Sequence, residues 1–133
     1  MMIKIPRDLL SQLLKHVSES RPYEAVAFLL GRKTSMGYEA LELVKVSNAA
    51  RSQLQFYVDP VELYSVYKEA DSKGLEVVAI AHSHPGTPYP SSLDRAYMKI
   101  NPYVWIIVSM YDLKLQAYIL EGDELKSVSI YVV

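Results

Sequence analysis

The stretch LEVVAIAHSH, residues 75 to 84, constrains the fold more than any other part of the chain. Its first seven residues are short, apolar and β-branched, the pattern of a strand covered on both faces. They follow directly on PVELYSVYKEADSKG, a helical pattern with Pro60 at its first position and Gly74 just past its end. A helix that feeds a doubly covered strand requires a sheet with material packed on either side.

The rest of the chain supplies that material. IPRDLLSQLLKHV places Ile5, Leu9, Leu13, Leu14 and Val17 on one helical face. Arg21-Pro22 closes this helix, because a residue before proline disfavours helical geometry. EAVAFLL reads as a buried strand stopped by Gly31, and YEALELVKV as a second strand. In the helix from Pro60, Leu63, Tyr64, Tyr67 and Ala70 are expected to face inward. SSLDRAYMKI reads as a short helix and YVWIIVSM as another central strand. LKLQAYIL alternates, with Leu113, Leu115, Ala117 and Ile119 on one face, and LKSVSIYVV alternates too. The expectation is an α+β layer structure, and 133 residues fit one domain, 1–133.

Composition excludes several function classes. The net charge is -1 and the basic residues are scattered, so no phosphate-tracking surface and no nucleic-acid partner are expected. MMIKIPRDLL has no long apolar stretch and no small-residue cleavage site. No membrane span is expected, and the cytoplasm is the expected location. The absence of cysteine removes disulfides, thiolate zinc sites and a cysteine nucleophile together. It also removes a zinc nucleoside deaminase, whose signature needs paired cysteines.

Of the three histidines, two stand at the end of the central strand, as His82 and His84. Side chains two apart on a strand point to the same side, so both imidazoles can converge on one ion. Asp94 follows His84 by ten residues, across a loop that Pro85, Pro88 and Pro90 stiffen. Two imidazoles and a carboxylate suit Zn²⁺, and three protein ligands leave a fourth position for water. Plainer readings stand beside this one. Paired histidines at a strand end also occur as hydrogen-bonded structural residues. Ser91 and Asp94 also fit a helix cap, with a serine N-cap and an acid three residues later. His16, inside the first helix, reads as a surface or boundary residue outside any site.

HSHPGTPYPSSLD resembles the metal signature of the JAMM (MPN+) metalloprotease family, whose pattern is His-x-His, a spacer, then Ser-x-x-Asp. PYEAVAFLLG is similar to that family's early segment, in which a glutamate opens a strand. NAARSQLQFYVDPVELYSVYKEADSKGLEVVAIAHSHP resembles its prokaryotic branch, through the Asn48 turn and the Phe56 to Pro60 stretch. The resemblance implies one MPN/JAMM-type domain, a mixed β-sheet flanked by two to three helices. It implies that His82, His84 and Asp94 bind zinc. It implies that Glu24 activates the nucleophilic water and protonates the leaving nitrogen, and that Ser91 donates a hydrogen bond to the oxyanion.

One departure bears on the serine. The family's usual spacer of seven residues is here six, PGTPYP. Either Ser91 keeps its role on a tighter loop or Ser92 takes some of it; the offset Ser91-x-x-Asp94 favours Ser91. About ten residues separate Asp94 from the YVWIIV strand, which leaves little room for the later of the insertions that grip ubiquitin in eukaryotic members. The resemblance is therefore to a minimal archaeal or bacterial form. Its implied partners are ubiquitin-like or sulfur-carrier proteins ending in a Gly-Gly tail, and its implied activity is a zinc-dependent isopeptidase. A zinc amidase releasing an amino acid such as cysteine from a sulfur carrier is the alternative. A non-catalytic MPN scaffold is a further one, but this chain keeps every ligand that such scaffolds have lost.

Overall fold

In the computed structural model, residues 1–50 and 56–133 are described; the RSQLQ part of the segment that resembles the prokaryotic branch lies outside them. In chain order the elements are β1 (Met2–Ile5), α1 (Arg7–Ser20), β2 (Val26–Thr34), β3 (Gly37–Val46) and α2 (Pro60–Ser72). They continue as β4 (Glu76–His84), α3 (Ser92–Ile100), β5 (Val104–Ser109), β6 (Leu115–Glu121) and β7 (Glu124–Val132). The strands order as β1-β3-β2-β4-β5-β6-β7 and close into a barrel. Three pairings are parallel, β1 with β3, β1 with β7, and β4 with β5. The others are antiparallel, so the sheet is mixed as expected.

Two apolar clusters lie on the two faces of this sheet. One contains residues of every strand, among them Ile3, Leu29, Ala40, Ala79, Ile106, Ala117 and Val128, with the buried face of α1. The other joins Phe28, Ile80, Trp105 and Ile107 to Val66 and Ala70 of α2 and Met98 of α3. Alternation along β5 decides which residue serves which cluster, as the period of two demands; in β4 it is interrupted once, at Val78 and Ala79, where the register against β2 shifts. β4 is buried from Val77 to Ser83, in accord with a strand covered on both faces.

The sheet closes because residues 2–5 form a strand that bridges β3 and β7, a detail beyond the expected mixed sheet. Three local expectations are corrected. Ile5 belongs to that strand and not to the helix face: Ile3 and Ile5 are buried at period two, with Lys4 exposed between them. Gly31 does not stop β2, which runs on to Thr34. It sits where the register shifts against β3, and a Cβ there would collide with the Glu39 carbonyl oxygen. The glycine admits a neighbouring backbone rather than ending the strand. In α2, Tyr64 is 67% exposed, while Val66 and Ala70 are buried and Leu63 is half-buried. The aliphatic stripe 63–66–70 meets β4, and the bulkier tyrosines stand off it.

Candidate active site

Glu24 and His82 are far apart in sequence and neighbours in space, because β2 and β4 pair antiparallel with Val26 opposite His82. Continued outward, this register sets Glu24 opposite His84 at the same end of the sheet. Residues directly opposite on antiparallel strands share a face. His82 and His84 therefore face the side that α2 and α3 cover, and Glu24 joins them there. Glu24 is 2% exposed and His82 is fully buried.

His82 stands between two carboxylates. Its Nδ1 is 3.6 Å from Glu24 Oε1 and its Nε2 is 3.6 Å from Asp94 Oδ1. Neither nitrogen makes a hydrogen bond among the described residues. Aromatic neighbours fix the ring: Phe56 at 4.9 Å between centroids, and Trp105 edge-on at 5.6 Å. A buried polar atom without a partner costs about 1–3 kcal/mol, and this ring carries two. A bound cation removes one such deficit and offsets both carboxylates. Glu24, His82 and His84 each offer a ligand atom, all within 4.8 Å of one another.

Asp94 comes to the cluster from α3. Ser91 is the helix's N-cap: its Oγ accepts from the Asp94 N–H at 3.1 Å, and the Ser91 N–H donates to Asp94 Oδ2 at 2.8 Å. The reciprocal pair is a capping box, with a buried aspartate in the place of the usual glutamate. The capping reading of these two residues is thus correct, and the cap is also what presents Asp94 to the imidazoles. His84 Nε2 lies 2.9 Å from Asp94 Oδ2. Burial alone would lower the His84 pKa, but the hydrogen bond and charge of Asp94, with the charge of Glu24, outweigh it and hold His84 above its ordinary value. Burial alone would raise Asp94; the His84 hydrogen bond, the His82 charge and the Ser91 N–H hold it below the ordinary carboxylate range instead. The pair thus favours a shared proton, which a cation entering the cluster has to displace.

Beside the cluster opens a cleft of about 270 Å³, lined by Glu24, His84, Thr87, Tyr89 and Ser91 among others. Ser91 borders it and Ser92 does not. On its other side Glu24 borders a second cleft of about 570 Å³, with Tyr23 and Asn48. Buried, partly unsatisfied donor atoms at the junction of two clefts suit chemistry on an extended substrate. His16, expected outside the site, holds the Val26 carbonyl oxygen at 2.9 Å through Nε2 and borders the larger cleft. The polar residues that anchor the backbone at Glu24 and Ala25, Asn48 and Ser83, carried no catalytic signal in the sequence. Ser83 was visible only as the middle residue of His-x-His.

Residues 6–119 match the model of the prokaryotic homologues of the JAB domain. The chain is 35% identical over 130 residues to a desampylase of Pyrococcus furiosus, covering 96% of this chain and 89% of that one. It is 31% identical over 108 residues to a probable TtuB-protein conjugate cleaving protease of Thermus thermophilus, covering 78% and 69%. Its fold is similar to that of a JAB1/MPN domain protein from Archaeoglobus fulgidus, with a TM-score of 0.59 and 22% identity over 98% of this chain and 99% of that one.

Proposed function

The chain belongs to the family of prokaryotic JAB-domain homologues, and on that premise we propose that it is a zinc-dependent isopeptidase. It hydrolyses the amide that joins the C-terminal Gly-Gly tail of a ubiquitin-like or sulfur-carrier protein to an amine. The names of two relatives, a desampylase and a conjugate-cleaving protease, support action on protein conjugates. Residues 1–133 act as one domain in this reading.

The observation that carries the reading is His82, a buried imidazole with two unpartnered nitrogens between two carboxylates. Nitrogen and oxygen donors of this kind, without thiolates, fit Zn²⁺. His82, His84 and Asp94 would hold it. When bound, zinc supplies Lewis acidity, polarising the scissile carbonyl and making water a competent nucleophile near neutral pH. Glu24 takes a proton from that water at a carboxylate oxygen and delivers it to the leaving nitrogen. Its burial keeps bulk solvent from competing for the proton. The Ser91 Oγ already accepts from the Asp94 N–H, so its own O–H remains to donate to the oxyanion. The proline-rich loop, Pro85 to Pro90, walls the smaller cleft and positions Ser91.

Metal analysis together with a cleavage assay tests this. The purified protein should carry about one zinc per chain and should release a glycine-tailed modifier from a lysine conjugate. Chelation should abolish cleavage and added zinc restore it. His84→Ala should lose both metal and activity. Full zinc retention in that variant, or undiminished cleavage after chelation, would overturn the assignment. Cleavage of an amino-acid adduct but no lysine conjugate would replace the isopeptidase by the amidase.

A further inference from the structure

Glu24 precedes Val26, the first residue of β2, so the regular ladder does not by itself fix where its carboxylate stands. Side chains from α1, from β4 and from the loop after β3 hold the backbone there. Asn48 Nδ2 donates to the Glu24 carbonyl at 2.9 Å. His16 Nε2 lies 2.9 Å from the Val26 carbonyl oxygen. Between them, Ala25 is bound twice by Ser83. The Ser83 N–H donates to the Ala25 carbonyl at 3.1 Å, as the register Val26–His82 and Ala27–Ala81 requires. The return bond is different. The Ala25 N–H goes to the Ser83 hydroxyl, at 2.8 Å, where a regular antiparallel pair would send it to the Ser83 carbonyl.

Ser83 is fully buried and lies between His82 and His84. By strand alternation its side chain leaves the face that the two imidazoles occupy. It therefore does not reach the reacting atoms. What it alters is the path of the segment that delivers Glu24. A hydroxyl acceptor sits at a different place from a carbonyl acceptor, so at Ala25, the residue after Glu24, one bond that would continue the ladder is replaced by a bond to a side chain.

We propose that Ser83 is a positioning residue for hydrolysis: by accepting the Ala25 N–H in place of its own carbonyl, its hydroxyl sets the position of the Glu24 carboxylate beside His82 and His84. This rests on the reading of Glu24 as the proton-transferring group.

A double-mutant cycle on the zinc-loaded protein separates the two claims. Glu24→Gln alone should keep its zinc and lose cleavage; wild-type turnover, or loss of zinc, would overturn the reading of Glu24 and with it the role of Ser83. Ser83→Ala should keep zinc and lower kcat by about 10- to 100-fold, since displacements near 1 Å have that effect, with KM little changed. Ser83→Thr, which keeps the hydroxyl, should recover most of the rate. In the Glu24→Gln background, Ser83→Ala should have no further effect on the residual rate. An equal loss in both backgrounds would show that Ser83 acts on the structure at large and would overturn the inference while leaving Glu24 in its role. Should Ser83→Ala not yield folded protein, Ser83→Cys fills the same space with a weak acceptor and is carried through the same cycle. The same two outcomes then decide.

Discussion

In the proposed mechanism Ser91 does two jobs with one oxygen, and they can be measured apart. As N-cap it accepts from the Asp94 N–H; as the proposed oxyanion donor it would use its proton. Loss of a serine cap costs about 1 kcal/mol when alanine replaces it and only a few tenths when glycine does. Loss of an oxyanion donor costs about 10²-fold in kcat. Ser91→Gly should therefore melt close to the parent and yet lose about 10²-fold in kcat, with zinc retained. Ser92→Ala should leave kcat unchanged, because Ser92 does not border the cleft. The opposite pattern would mean that the six-residue spacer has passed the role to Ser92. At this scale the sequence told a good deal. His82, His84 and Asp94 could be grouped by strand period and by ligand chemistry. Glu24 could not be, because only the β2–β4 register makes it a neighbour of His84, and a register is a property of two strands together. Its place came from family likeness. Ser83 was hidden for a related reason: its partner, the Ala25 N–H, is backbone and leaves no mark in the sequence.

Among the elements, those with a strong apolar pattern and clear punctuation were legible. α2 has Pro60 at its start and Gly74 past its end; α1 stops before Arg21-Pro22; and the β4 run stands out for its apolar, β-branched residues. What misled was a residue that satisfied two periods at once. Ile5 precedes Leu9 by four residues, as a helix face would have it, and follows Ile3 by two, as a strand would. The second relation is the real one. Gly31 misled differently, since glycine both ends strands and admits close backbones, and only the partner strand tells which. The contact with the Glu39 carbonyl makes a sharp test. Gly31→Ala should cost at least about 1–3 kcal/mol, the range for overpacking, because the obstacle is backbone and cannot rotate away. Urea unfolding of the variant measures this. An unchanged midpoint would mean that β3 shifts freely there, and the bulge would lose its explanation.

At the scale of the molecule, the barrel depends on its shortest strand. β1 has four residues, yet it pairs with β3 on one side and β7 on the other. Ile3 is fully buried in the cluster that every strand shares. Ile3→Ala should destabilise the protein by about 2–5 kcal/mol, as large-to-small core changes do, while zinc binding in the folded fraction stays intact. Thermal unfolding in the zinc-loaded state reads the first effect and metal analysis the second. A variant that melts with the parent would show that β1 is an ornament on the sheet rather than its closure. The closure itself was not legible, because a four-residue stretch of alternating residues carries too little signal to be told from the start of a helix.

Closure by the parallel pairing of β1 with β7 also fixes an order of events on the ribosome. Every residue assigned to the chemistry, from Glu24 to Asp94, is synthesised before β6 begins. The strand that completes the barrel is the last one made. Until Glu124–Val132 has emerged, β1 has no partner on one side and the nascent sheet keeps two bare edges. Bare edges are where strands of different chains join, so the interval between the making of the site and the arrival of β7 is when this protein is most exposed to mispairing. A slow codon or a stall after Asp94 lengthens that interval, and a chain truncated before β7 would carry all the proposed metal ligands on a sheet that cannot close.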